Sequence, residues 1–244
     1  MDAIQTQDLT KRFGDLEALS RLTFNVEKGE LFGFIGPNGA GKSTTINILT
    51  GQMKPSSGSS TVLGIDPIEN PVEVRSKIGI LPESQNPPSF LTPREYFEFV
   101  AEVRGIEDLE SKVDEWVNRL RFEDKLDTLN IDLSRGQKQK VMITQAFLHE
   151  PELVFIDEPL SNLDPIIQEK VKDYFVKYHE EGNTVFLSTH LISVAEEICT
   201  RVGIINKGTL VAEKDVLALK EENKRLIQEF MREVEGVEPT QMDD

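Results

Sequence analysis

The chain has 244 residues, of which 43 are Asp or Glu and 27 are Lys or Arg, so its formal net charge is −16 at pH 7. This acidity disfavours a broad nucleic-acid face, because a duplex carries a dense negative charge, and we expect no nucleic-acid partner. One cysteine excludes an internal disulfide, and the sequence contains neither a basic apolar leader nor an apolar run of about 18 residues, so we expect a cytoplasmic protein or one held at a membrane by a partner.

The first thirty residues predict two antiparallel strands. Leu22, Phe24 and Val26 alternate with polar residues, as in a strand with one buried face, and a turn follows at 27–29. Phe13 lies between the two strands. It either stacks on an adenine ring, an interaction worth about 1–3 kcal/mol by analogy with base stacking on aromatic side chains, or packs in the core.

A glycine-rich stretch at 36–44 matches the phosphate-binding pattern Gly-x4-Gly-Lys-Ser/Thr. An apolar run at 31–35 predicts a strand before it and 45–49 predicts a helix after it, which is the context that the pattern requires. The glycines let backbone N–H groups surround an anion, while the lysine adds a positive charge and the serine hydroxyl can reach a Mg²⁺ ion. The nucleotide-binding residues of this loop are Gly36, Pro37, Asn38, Gly39, Ala40, Gly41, Lys42, Ser43 and Thr44.

Short elements follow the loop, and then the pattern becomes helical. We predict a strand at 60–64, a helix at 72–77 and a strand at 78–81, which ends close to Glu83 and Gln85. From 87 to about 150 the spacing of apolar residues predicts helices, the first of which is capped by Thr92. The predicted packing faces of two of these helices are Tyr96, Phe99, Val100 and Val103 in the first, and Val113, Trp116, Val117 and Leu120 in the second.

Polar residues stand at the start of one later helix and at the ends of two later strands. Ser134 begins a helix whose N-terminus is a second candidate anion site, although capping alone explains the serine. A buried strand at 153–156 ends in Asp157 and Glu158, which beside a magnesium nucleotide can hold the metal through water and orient an attacking water. His190 ends a further strand at the edge where the phosphates would lie. The residues after Lys214 are predicted to be helical and charged, with a frayed end at 237–244.

Taken in this order, the motifs resemble those of the nucleotide-binding subunit of ATP-binding cassette (ABC) transporters over about residues 4–213. The stretch 36–44 resembles the Walker A motif, 153–158 resembles the Walker B motif with its catalytic glutamate, and 133–137 resembles the family signature. The stretch 161–164 resembles the D-loop, His190 the switch histidine and Phe13 the adenine-stacking aromatic residue.

The resemblance implies an α/β fold with a phosphate-loop (RecA-like) core at 1–86 and 151–213, which includes an antiparallel β subdomain. An inserted α-helical lobe at 87–150 carries the signature, and 214–244 is a charged C-terminal helix and tail. The resemblance also implies an ATPase at the cytoplasmic face of the cell membrane that drives a separate integral membrane permease. Two cassettes, expected to be a homodimer, would bury ATP between the Walker A motif of one copy and the signature helix of the other.

The resemblance also assigns roles to single residues. Lys42 and the loop amides bind the phosphates, Ser43 and Asp157 bind Mg²⁺, Glu158 polarises water and His190 contacts the γ-phosphate. The remaining nucleotide-binding residues are Ser134, Gly136 and Gln137, which close the site of the other copy, and Asp164.

Two positions depart from the family pattern. Arg135 stands where the usual signature has glycine, and Glu83 stands where a glutamine is usual, with Gln85 as the alternative for that role. Glu83 could still bind magnesium, but it adds negative charge beside the phosphates. The combination of Leu-Pro-Glu and Ser-Arg-Gly resembles the exporter branch that includes drug, polysaccharide and copper-maturation transporters. The alternative is a soluble ABC ATPase that acts in translation or on nucleic acid.

Overall fold

A central β-sheet and a smaller second sheet form the frame of the structure, a computed structural model that describes residues 1–83 and 86–236. The predicted fraying at 237–244 lies outside the described residues. The strands are β1 (Asp2–Phe13), β2 (Leu16–Glu27), β3 (Leu31–Ile35), β4 (Ser57–Val62), β5 (Ile78–Leu81), β6 (Leu153–Asp157), β7 (Thr184–Thr189), β8 (Arg201–Asn206) and β9 (Thr209–Asp215). The α-helices are α1 (Lys42–Leu49), α2 (Pro71–Lys77), α3 (Pro93–Arg104), α4 (Leu109–Leu120), α5 (Arg135–Phe147), α6 (Pro165–Glu180), α7 (Ile192–Ile198), α8 (Val216–Glu221) and α9 (Leu226–Glu235), and short 3₁₀ helices lie at Glu123–Lys125 and Asn130–Asp132.

The central sheet has the strand order β5-β6-β7-β3-β8-β9. Its strands run parallel except for β9, which pairs antiparallel with β8. Strands β6, β7 and β3 are neighbours, so their carboxyl ends meet at one edge of the sheet. Ligands of open α/β sheets bind outside such an edge, and the phosphate loop leaves β3 there.

The second sheet has the order β2-β1-β4 and is antiparallel, as predicted for the first thirty residues. The strand predicted at 60–64 is shifted, because β4 spans Ser57–Val62. Leu63 and Gly64 have φ values of 52° and 78°, so they form a turn instead of extending the strand. The serine- and glycine-rich residues before them pair with β1 despite their weak strand propensity.

Helices α3, α4 and α5 occupy the segment that the sequence predicts to be helical. The Thr92 cap of α3 is confirmed, and it is part of a capping box: the Thr92 hydroxyl accepts from the backbone N–H of Glu95 at 3.2 Å, and the Glu95 carboxylate accepts from the backbone N–H of Thr92 at 2.8 Å. The predicted packing face of α4 is buried, but that of α3 is partly wrong. Phe99 and Val103 are exposed, because the helix turns Phe97 and its neighbours inward instead.

The two faces of the central sheet pack against different layers. Phe32 and Phe34 of β3 join a cluster with the antiparallel sheet and α1, whereas Leu31 and Ile35 of the same strand join a cluster with α3 to α9. This alternation follows from the two-residue period of a strand that is buried on both sides. Among the helices of the described residues, none has the combination of length and hydropathy that a bilayer crossing demands.

Candidate active site

One cleft, of about 400 Å³, brings together most of the predicted site residues. It lies over the phosphate loop, at the edge where β3, β6 and β7 end. The predicted residues that line it are Phe13, Asn38, Gly39, Gly41, Lys42, Ser43, Thr44, Glu83, Asp157 and Glu158, and Leu16 and Ala18 of β2 complete the wall.

The shape of the phosphate loop depends on glycine. Gly39 and Gly41 have φ values of 79° and 112°, which residues with a Cβ rarely adopt. A Cβ on Gly41 would also lie 2.6 Å from Leu19 Cδ2, and one on Gly36 would collide with the backbone carbonyl of Ile205. The neighbouring strands therefore hold the loop closely. Helix α1 begins one residue before Ser43, and its N-terminus faces the loop, where backbone N–H groups favour an anion.

Lys42 is a buried cation inside this loop. Its Nζ donates to the carbonyl oxygens of Gly36 at 2.8 Å and Pro37 at 3.3 Å. Burial lowers the pKa of Lys42, and the nearby carboxylates of Glu158 and Asp157 act in the opposite direction. An anion bound in the loop would favour the charged form further, so the lysine is suited to a phosphate.

Asp157 ends β6 and is held from the neighbouring strand. The Ser188 hydroxyl donates to Asp157 Oδ1 at 2.6 Å, and the two residues are paired in the parallel register of β6 and β7. Asp157 Oδ2 has no hydrogen-bond partner among the described residues. One oxygen of this buried carboxylate is therefore fixed and the other can accept from a water or bind a cation.

Glu158, which is also buried, accepts three hydrogen bonds from the end of β7. Its Oε1 accepts from the backbone N–H of His190 at 2.8 Å and lies 2.7 Å from His190 Nδ1, and its Oε2 accepts from the Thr189 hydroxyl at 3.0 Å. A carboxylate has no proton to donate, so Nδ1 of the histidine carries the hydrogen. The structure thus places the predicted base and the predicted switch histidine in direct contact.

Phe13 lies on the wall of the cleft and is 46% exposed. Lys11 Nζ lies 5.1 Å from the centroid of its ring. The core alternative for Phe13 is therefore wrong. Stacking on adenine stays a prediction that fits this exposed position.

The signature residues lie outside the lining of this cleft. The Ser134 hydroxyl accepts from the backbone N–H of Gln137 at 3.3 Å and caps α5. Gly136 packs so closely against the next loop that a Cβ there would lie 2.5 Å from the carbonyl oxygen of Asn162. Asp164 caps α6, because its Oδ1 accepts from the backbone N–H of Ile167 at 3.1 Å.

The predicted metal-binding residues have the oxygen chemistry that Mg²⁺ prefers. Ser43, Glu83 and Asp157 all line the cleft, and Gln85 lies outside the described residues. Within 1–83 and 86–236, no group of three or more His, Cys, Asp or Glu residues forms a metal-binding cluster. Mg²⁺ is commonly bound by one or two carboxylates together with phosphate oxygens and water, so the donors at hand suit a metal that arrives with a nucleotide.

The chain is similar to proteins of a known family. A family model described as "ABC transporter" matches residues 19–161, which is more than half of the chain. The chain belongs to the ABC transporter family. It is an ATP-binding subunit of such a transporter and an ATPase.

Individual ABC proteins are similar over most of the chain. The bacitracin transport ATP-binding protein BcrA of Bacillus licheniformis is 35% identical over 226 residues, which cover 92% of this chain and 74% of that protein. The Nod factor export ATP-binding protein I of Rhizobium meliloti is 33% identical over 218 residues, which cover 86% and 64%. The ATP-binding cassette MJ0796, in a dimeric post-hydrolysis structure bound to ADP and Pi, matches with a TM-score of 0.80 and 27% identity, covering 87% of this chain and 98% of that chain. These similarities confirm the predicted α/β phosphate-loop fold and ATP binding.

Sequence reasoning missed two residues of this ABC site. Ser188 and Thr189 hold Asp157 and Glu158 through their hydroxyl groups. The signal was present, because Ser-Thr-His and Asp-Glu both end buried strands that parallel pairing can bring side by side. Pairing β6 with β7 in register would have found both contacts.

Proposed function

We propose that this chain hydrolyses ATP to drive a separate membrane permease and that the transporter exports its cargo. The observation that carries the enzymatic part is the convergence of Lys42, Asp157 and Glu158 on one cleft beside the phosphate loop. Export is supported by the similarity to the Nod factor export ATP-binding protein I and by the combination of Leu-Pro-Glu and Ser-Arg-Gly. Attachment to the permease places the chain at the cytoplasmic face of the membrane.

Phosphate binding is the task of the loop and of α1. The amides of the loop surround the β- and γ-phosphates, and Lys42 Nζ exchanges its carbonyl partners for phosphate oxygens. Phe13 stacks on the adenine ring. A helix N-terminus and a buried ammonium both favour negative charge, so these groups act in the same direction.

Ser43 and Asp157 would hold Mg²⁺, with Glu83 as a further carboxylate at the cleft. The ion supplies charge neutralisation for the phosphate oxygens. The cleft contains three carboxylates beside one lysine, so a divalent cation and a polyanion together suit its charge.

Hydrolysis depends on Glu158. Its carboxylate orients the attacking water and accepts a proton from it, a contribution that is typically worth about 10²–10⁴ in rate. His190 is held by Glu158 through Nδ1 and directs its other ring nitrogen, Nε2, toward the γ-phosphate. In phosphoryl transfer such positioning and charge stabilisation account for most of the catalysis.

Two copies of the chain complete the site. We assign Ser134, Gly136 and Gln137 to the nucleotide of the opposite copy, with Asp164 at the same interface. None of these four residues lines the cleft formed by the described residues of one copy, and Ser134 and Asp164 are exposed. The dimeric state of the MJ0796 cassette supports this arrangement.

These roles assign a separate function to each segment of the chain. We assign ATP binding to a core at 1–86 and 151–213, the signature to a helical lobe at 87–150, and the remaining residues, 214–244, to a C-terminal extension. The exposed side of the lobe around Phe90 and Arg94 faces the permease.

Steady-state ATP hydrolysis by the purified chain tests the enzymatic proposal. We expect turnover that requires Mg²⁺ and is lost in Asp157→Asn. The matched control is Asp173→Asn on α6, which removes a carboxylate outside the cleft and leaves turnover unchanged. Turnover that persists in EDTA, or that survives Asp157→Asn, would contradict the assignment of the metal site.

A further inference from the structure

Thr189 stands out among the groups that contact Glu158. It is 2% exposed, and its hydroxyl donates to Glu158 Oε2 at 3.0 Å. The Thr189 hydroxyl oxygen also accepts from the backbone N–H of Leu191 at 3.0 Å. The hydroxyl therefore joins the end of β7, the loop that carries His190 and the carboxylate of Glu158.

The lone pairs of the Glu158 carboxylate show what this contact does. An ionised carboxylate offers about four acceptor sites. The backbone N–H and the ring of His190 take two on Oε1, and Thr189 takes one on Oε2. The acceptor site that is left lies on Oε2, beside the one that Thr189 occupies. The threonine thereby fixes the direction in which Oε2 can receive a hydrogen bond from water.

The backbone of Glu158 shows that its position is held from outside. Its φ is 50°, in the left-handed region, which is strained for a residue with a Cβ. Its N–H donates to the carbonyl oxygen of Ser188 at 3.0 Å. The strained backbone and the side chain are thus both held by successive residues at the end of β7.

We propose that Thr189 is a positioning residue that holds the carboxylate of Glu158 in the orientation needed to activate water. This inference rests on the proposed function, since it requires Glu158 to be the group that orients water. Thr189 acts through Glu158, and its hydroxyl does not contact the nucleotide in this account.

Thr189→Val tests the hydroxyl, because valine keeps the β-branched shape and removes only the polar group. Hydrogen bonds to charged groups are the strong ones, and displacement of a reacting group by about 1 Å can cost 10²-fold in rate. We expect kcat to fall by about 10- to 100-fold while KM for ATP changes by less than about twofold. Thr189→Ser restores the hydroxyl and should recover at least about half of the wild-type kcat.

Thr184→Val is the matched control within the same strand. Thr184 begins β7, is equally buried and uses its hydroxyl to accept from the backbone N–H of Gly29 at 3.0 Å. This variant loses a hydrogen bond far from the cleft, so its kcat should stay within about twofold of wild type. An equal loss of kcat in Thr184→Val would mean that β7 is merely sensitive to damage, and would overturn the inference.

The double variant with Glu158→Gln separates the inference from the function on which it rests. If Thr189 acts through Glu158, adding Thr189→Val to Glu158→Gln should not lower the residual rate further. Wild-type kcat in Glu158→Gln alone would refute the proposed role of Glu158, and with it that of Thr189. If kcat is low in Glu158→Gln, three results would refute the inference about Thr189 and leave the role of Glu158 intact. They are a wild-type kcat in Thr189→Val, a Thr189→Ser variant that does not recover kcat, and a further loss of rate in the double variant.

Discussion

Replacing Glu158 by glutamine separates ATP binding from ATP hydrolysis, and the structure predicts how the variant accommodates the change. Glutamine has the same size, but its amide has one acceptor oxygen where the carboxylate has two. The two donors of His190 require the oxygen, so the NH₂ group faces Thr189, whose hydroxyl oxygen can accept a hydrogen bond. The new side chain therefore fits, and removal of a buried charge offsets the loss of charge-assisted hydrogen bonds.

For this variant we expect a free energy of unfolding within about 1 kcal/mol of wild type, unchanged ATP affinity, and a kcat lower by about 10²–10⁴-fold. An ATP-bound dimer should accumulate, because the nucleotide that closes it is no longer cleaved. The assays are phosphate release, equilibrium binding and size-exclusion chromatography with ATP and Mg²⁺. Glu152→Gln, at an exposed residue just before β6, is the matched control and should behave as wild type. A kcat within about threefold of wild type in Glu158→Gln would refute the role of this carboxylate.

Three further predictions concern affinity and stability. Phe13→Ala should weaken binding of a fluorescent ATP analogue by about 5- to 100-fold and hardly change the melting temperature, because the ring is half exposed; unchanged affinity would contradict adenine stacking. Gly36→Ala should lower the free energy of unfolding in urea by about 1–3 kcal/mol, because the added Cβ collides with a backbone carbonyl. Gly39→Ala should cost less, about 1 kcal/mol, because its added Cβ meets open space and only the positive φ is strained. The reverse ranking would contradict the packing of the loop. Burial, reinforced by Arg104, lowers the pKa of His149 to about 4 from 6.5; the unfolded chain therefore takes up a proton first as the pH falls, and stability is lost between about pH 6.5 and 4. Between pH 7 and 5, the free energy of unfolding in urea should fall by about 1–2 kcal/mol less in His149→Gln than in wild type. An equal fall in both proteins would contradict this.

The strand, loop and helix around the phosphate site could be predicted because their signals are local. Apolar residues at 31–35, glycines in the loop and a helical pattern after it lie next to one another in the sequence. The shift of β4 shows the limit of such reasoning. Ser57 and Gly58 have weak strand propensity, and the pairing of Ser57 with Thr10 of β1, more than forty residues earlier in the chain, is a tertiary effect.

The contacts within the site were harder to predict than its members. Asp157 and Glu158 can be identified from the buried strand that they end, and His190 from its place after another strand. Their coupling depends on the parallel register between β6 and β7, which joins residues 31 or 32 positions apart. On α3, the apolar residues form two stripes, and only packing against α4 and α5 decides that Phe97 is buried and Phe99 is exposed.

The most direct test of the account is to identify what the chain binds in the cell. A tagged chain is recovered from a mild detergent extract, with an untagged extract as the control, and its partners are quantified by mass spectrometry. We expect a stoichiometric membrane protein with several spanning segments, which would be the permease. Recovery of ribosomes, of nucleic-acid enzymes or of this chain alone, with no membrane partner, would contradict it and favour the soluble ATPase.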